Sequence, residues 1–196
     1  MSTHNIVTAA VASLLFVAGP AIGPAVSPAL AQTPVGHFGF GTSVGADELA
    51  KYLSVHPDGR GLPSGSGTAE AGAKVYAENC AACHGDKLQG IPDPGIGGDR
   101  LIGGRGSLAS KTPVKTVESY WPYATTLFDY VKRAMPFSAP GSLGDSDVYA
   151  VVAYILSEAK IIKPTETMDA RTLPKVAMPN KDGFIPDARP ELELYR

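Results

Sequence analysis

Two thiols and an imidazole fall within one short run, Cys80-Ala81-Ala82-Cys83-His84. Cysteines separated by two residues stand about one helical turn apart, so both sulfurs can reach the same flat group from one side. Added across the two vinyl groups of a porphyrin, they form thioethers, and the histidine that follows is carried under the iron as its proximal ligand. Other chemistries use similar spacings. A structural zinc site takes four protein ligands, and here only Cys80, Cys83 and His84 cluster. A thioredoxin-type pair needs a βαβ surround that this sequence lacks. A Cys80–Cys83 disulfide leaves His84 without a role. Covalent attachment of one haem c uses all three residues.

The far side of the iron needs a second ligand, and Met135 is the choice. It ends one helical stretch and precedes another, and Pro136 biases its backbone toward extended geometry. Met/His ligation raises the reduction potential and leaves no open position for substrate. Core filling is the plain alternative for a methionine. Met178 also precedes a proline but lies beyond the last helix, and Met168 reads as a tail residue. His37 and His56 would give bis-His ligation, yet both sit among Gly, Ser and Pro, where solvated histidines are expected. Leu88, Leu101, Ile102, Leu127, Tyr130 and Phe137 are candidates to line the haem crevice. Trp121 and Tyr123 either hydrogen-bond a propionate or pack as core aromatics. Arg105 either pairs a propionate or is solvated in its loop. The second nitrogen of His84 needs an acceptor, for which the carbonyl of Pro92 or Pro94 is a candidate.

Three helices must position these groups. Thr68 is an N-cap, with Glu70 in the first turn, for a helix over Ala69–Asn79. Gly72, Tyr76 and Cys80 are four apart and share a face. A second helix covers Ala124–Ala134, with Leu127, Tyr130, Val131 and Ala134 on one side, and ends before Met135-Pro136. The third starts at Gly144 or Asp145 and fades near Lys160, with Val148, Val151, Val152 and Ile155 as its buried stripe. Residues 85–117 read as loop, and no segment has a strand period of useful length. The fold class expected is all-α, three to four helices around one covalent haem.

The 196 residues suit one domain with extensions. Lys and Arg total 17 against 19 Asp and Glu, a net charge of −2 that gives no basic footprint for nucleic acid. Two cysteines are too few for a disulfide framework. Residues 1–31 read as a secretory signal peptide, with an apolar run at 6–18 and cleavage after Ala31, which places the mature protein in the periplasm. That run is too short to span a bilayer and no other is long enough, so no membrane span is expected in the mature chain. Residues 32–67 form an extended N-terminal arm, 68–160 the haem domain, and 161–196, rich in proline, an extended C-terminal tail.

From Thr68 to Leu156 the chain resembles class I cytochromes c. The resemblance is carried by Gly72 and Tyr76 before Cys80-x-x-Cys83-His84, by Met135-Pro136, and by Leu143-Gly144-Asp145-x-Asp147-Val148 opening the last helix, where Gly144 stands in for the usual Ser or Thr cap. It implies that the first and last helices cross at the Gly and aromatic positions and that the Met loop closes the haem crevice. A narrower resemblance, to SoxD-like cytochromes of periplasmic sulfur and sulfite dehydrogenases, rests on Phe38-Gly39-Phe40-Gly41, residues 57–67, residues 113–124, Arg133-Ala134-Met135-Pro136-Phe137 and residues 178–184. With a single C-x-x-C-H, the chain matches the one-haem form. The resemblance implies an electron-transfer subunit without a catalytic site of its own. Its implied partners are a SoxC-like molybdopterin subunit that oxidises the sulfur compound and a soluble cytochrome c that accepts the electrons. The arm and tail, as segments too polar to fold alone, would then order along the partner. A free periplasmic shuttle to a terminal oxidase and an open-site haem enzyme or gas-binding protein are the competing functions.

Overall fold

Thr68 has extended backbone (φ −113°, ψ 160°) and its hydroxyl accepts from the amide of Ala71, starting helix α1 at Ala69–Asn79 as expected. The computed structural model describes residues 41–45, 48, 54–95 and 97–185. The chain divides into Met1–Ser43, of which only three exposed residues are described, and a unit from Val44 onward that carries every element below. The expected signal peptide and His37 lie outside the described residues.

A four-residue helix, α2 (Ala81–His84), follows α1 directly. Then come α3 (Ala124–Ala134), as expected, and α4 (Asp145–Glu158), which ends two residues before Lys160. Two short strands flank the helices, β1 (Ser66–Thr68) and β2 (Thr167–Asp169), antiparallel with Gly67 opposite Met168. A 3₁₀ turn at Leu173–Lys175 completes the set.

Helix α4 is the centre of the core. Beyond the stripe Val148, Val151, Val152 and Ile155, it also buries Tyr149, Ala150, Ala153 and Leu156. A helix apolar on several faces must be packed on several sides. α1 crosses it at Gly72, where an added Cβ would lie 1.9 Å from the Ala150 carbonyl oxygen. Gly67 of β1 meets the same residue, its Cβ position 2.1 Å from the Ala150 nitrogen. The rings of Tyr76 and Tyr154 meet at 5.2 Å between centroids beside this crossing. On the other side, Phe128 of α3 packs against Tyr149 at 4.4 Å.

The expected arm and tail need correction where they are described. Val55 donates its amide to Asp129 Oδ1 (2.9 Å), and Tyr149 donates its hydroxyl to the Pro63 carbonyl (2.9 Å). Residues 54–67 are therefore fastened to α3 and α4. In the tail, Met168, Leu173 and Met178 are 2%, 1% and 4% exposed and belong to the core cluster. Asn180 Nδ2 donates to the Tyr120 carbonyl at 2.7 Å, and Phe184 sets its ring edge-on to Tyr120. Each segment inserts isolated apolar anchors between polar and proline residues. Such anchors produce no periodicity for a sequence pattern to register.

α4 closes with a Schellman arrangement. Lys160 donates to the Ser157 carbonyl and Ile161 to that of Leu156, both at 2.9 Å, with Lys160 in the left-handed region at φ 55°. An L-residue pays a steric cost there that glycine does not. Lys160→Gly should therefore raise stability by about 0.5–1 kcal/mol, read as a higher urea midpoint at unchanged slope.

Candidate functional site

The end of α1 sets the geometry. Cys80 donates to the Tyr76 carbonyl and terminates α1, and its backbone (φ −126°, ψ −36°) redirects the chain into α2. His84 then donates to the Cys80 carbonyl at 2.9 Å, so both thiols and the imidazole ride on a single helical turn. Both cysteines are unpaired and half-buried. Burial, and after it Cys83, pushes the Cys80 thiol up to about 11. The free side chain is thus a neutral thiol at neutral pH. Tyr76 donates its hydroxyl to the Gly85 carbonyl at 2.7 Å and so braces the turn from below. Burial is the main cause that raises this phenol well above its ordinary value, which keeps it a donor.

Beyond Gly85 the loop doubles back over the motif. Gly90 donates to the His84 carbonyl (2.8 Å), Gly98 donates to that of Cys83 (2.9 Å), and Ile91 donates to Gly98 (3.1 Å). This brings the Asp99 carbonyl to 2.7 Å from His84 Nδ1. A carbonyl only accepts, so Nδ1 carries the proton and Nε2 keeps its lone pair for a metal. The acceptor is Asp99 and neither Pro92 nor Pro94, because the fold-back seats residues 98–99, at the end of the loop, beside the ring. A Cβ on Gly98 would fall 2.8 Å from His84 Cε1. The loop backbone thus lies against the imidazole and fixes its plane. These features fit an iron porphyrin held by two thioethers and one histidine. Among the described residues no group of three or more His, Cys, Asp or Glu side chains is arranged to hold a bare metal ion.

Met135 caps α3 in extended geometry (φ −124°, ψ 149°), donating its amide to the Val131 carbonyl, and its half-buried side chain packs on the core. Met168 and Met178 are both deep in the apolar core, where a thioether is ordinary filling. His56 is exposed in a turn closed by its amide and the Arg60 carbonyl. Leu88 and Leu127 are buried, and Leu101, Ile102 and Trp121 are half-buried against the core. Phe137 and Tyr130, by contrast, are 85% and 47% exposed. Trp121 sets its ring edge-on to Tyr130 at 5.7 Å. Tyr123 stands at the N-cap of α3 and borders a shallow groove with Pro57, Pro174 and Lys181. Arg105 is half exposed in its loop. It pairs with Glu118 at 2.6 Å and donates to the Ala159 carbonyl at 2.7 Å, pinning the 103–118 loop to the C-terminal end of α4. There its charge also suits the helix dipole.

Sequence reasoning missed Gly98 and Asp99. Both act through backbone, so no side-chain type marked them. It also missed Lys132, whose ammonium lies 2.7 Å from Asp145 Oδ1 and donates to the Leu143 carbonyl at 2.9 Å. A separation of 13 residues matches no helical spacing that would have drawn attention.

Comparison with known proteins adds a family match and several relatives. The cytochrome c family profile matches residues 69–159. A chain of the SoxCD sulfane dehydrogenase from Paracoccus pantotrophus superposes with a TM-score of 0.70 at 38% identity, over 80% of this chain and 76% of that one. Cytochrome c6 of Picosynechococcus sp. is 36% identical over 102 residues, 51% of this chain and 81% of the relative. A thiosulfate dehydrogenase of Stutzerimonas stutzeri is 30% identical over 105 residues, half of this chain. Of that last relative the chain spans only 30% of the length, and of a matching cbb3-type oxidase subunit only 12%.

Proposed function

The chain belongs to the cytochrome c family, and from that footing we propose that it is the single-haem electron-transfer subunit of a periplasmic sulfur-oxidising complex, docked on a SoxC-like molybdopterin subunit and discharging to a soluble cytochrome c. The observation that carries the reading is the 38% identity to a SoxCD chain over four-fifths of this one. That likeness extends past the helical core into segments that a minimal carrier does not need.

The protein is an electron-transfer cytochrome with one covalent haem c on the Cys80/Cys83 pair. When bound, the haem supplies a one-electron couple. The chain's own residues do the rest in this reading. Cys80 and Cys83 bind the group as thioethers. His84 would ligate the iron through Nε2, its ring oriented by the Asp99 carbonyl and the Gly98 backbone. Met135 would supply the second ligand, which would leave the site an electron relay with no open position for substrate. Because residues 54–67 and 168–180 are engaged with the protein's own core, the partner contacts assigned to the arm and tail fall to their outer parts. Among the described residues no helix is long and apolar enough to cross a membrane.

The test is co-purification with the molybdopterin subunit before and after removal of residues 186–196. The full chain should elute with its partner and be reduced when the sulfur substrate is added, and the shortened chain should be held less tightly. Unchanged association would count against a contact through the tail. Elution of the full chain alone would favour a free shuttle, a reading supported by the likeness to cytochrome c6 over most of that protein's length.

A further inference from the structure

We propose that Lys132 is a positioning residue that latches the Met135 loop closed. The inference rests on Met135 being an axial ligand, as read above. Helix α3 ends at Ala134 and α4 begins at Asp145, so the chain between them carries Met135 and must be held at both ends. Lys132, in the last turn of α3, reaches across this gap. Its ammonium lies 2.7 Å from a carboxylate oxygen of Asp145 and donates to the Leu143 carbonyl at 2.9 Å. One cation therefore joins the residues just before and just after the loop.

Each charge also sits where its own helix favours it, the lysine near a C-terminus and the aspartate in a first turn. Inside the ring so closed lie Met135, its neighbour Pro136 and the exposed Phe137. Short turns shape the loop internally, with Ala139 donating to Pro136 and Ser142 to Ala139. Those turns fold the loop but do not tie it to α4. The latch does, and it biases the loop toward the state in which Met135 faces the core.

Ligand competition reads this bias directly. Imidazole binds the ferric iron only when the methionine has moved away, so its apparent affinity scales with the fraction of open loop. The holoprotein is titrated with imidazole while the red charge-transfer band of Met-ligated ferric haem is followed. Lys132→Ala should lower the half-saturating imidazole concentration about threefold to tenfold, with helical circular dichroism unchanged. Lys132→Arg, which restores a cation, should titrate near the wild type. A merely structural contribution would lower the urea midpoint and leave imidazole affinity unmoved. If the alanine variant does not fold, Lys132→Gln and Asp145→Asn are read in the same way. Tighter imidazole binding supports the latch, and wild-type affinity in the variants overturns it. Absence of the band in the wild type would overturn Met135 ligation and the latch together, whereas a normal band with unmoved affinities overturns the latch alone.

Discussion

Met135→Ala is expected to abolish the red charge-transfer band of the ferric protein and to lower its reduction potential by about 0.1 V or more, a modest part of the ~0.8 V range that axial ligands cover. In the proposed ligation, loss of the thioether removes the ligand that favours the reduced iron, and alanine cannot reach the metal. The variant should also bind small exogenous ligands that the wild type resists, which makes it resemble the open-site alternative. Met178→Ala is the matched control. That side chain is buried in the core, so its removal should cost about 2–5 kcal/mol of stability and leave the band in place. A band that survives Met135→Ala, or vanishes with Met178→Ala, would reassign the ligand. The absence of a band in the wild type would reopen the enzyme and gas-binding readings.

The second large effect concerns the helix crossing. Gly72→Ala places a Cβ 1.9 Å from the Ala150 carbonyl oxygen, 2.4 Å from its carbon and 2.8 Å from Tyr154 Cβ. The first two contacts are backbone of the most buried helix, so no side-chain rotation relieves them. α1 must withdraw from α4, and the Tyr76–Tyr154 contact and the Tyr76 brace on Gly85 go with it. Overpacking at a crossing of this kind costs about 3 kcal/mol or more, seen as a collapse of the urea midpoint. Because α1 ends at the motif, displacement should also broaden the haem bands before the protein unfolds. A variant with the wild-type midpoint would mean that the two helices separate more easily than their contacts imply.

The parts legible in the sequence were those governed by local rules. Thr68 as a cap, the α4 stripe from Val148 to Ile155, and the end of α3 before Met135-Pro136 follow from capping, periodicity and proline sterics. The Cys80–His84 motif carries its chemistry in its spacing. Long-range contacts through single anchors were not legible. Met168, Leu173 and Met178 look like isolated apolar residues in a polar tail until the β1–β2 pairing brings them to the core. Tyr130 and Phe137 lie on the end of α3 and in the loop that follows it, and neither is covered by the protein's own core. Arg105 pairs with Glu118 and the end of α4, partners too far along the chain for a local rule to mark.

The partner of the His84 imidazole has a property that no side chain would confer. The acceptor is the carbonyl of Asp99, and every amino acid at position 99 brings the same oxygen. Point mutation at that codon can change charge at the surface without deleting the bond that holds the proximal ring. Vulnerability moves instead to position 98, where any residue larger than glycine pushes on the imidazole. Evolutionary drift at 99 is therefore cheap and drift at 98 is not, so a population of such sequences should vary at the residue that supplies the acceptor and hold still at the one that supplies nothing but room.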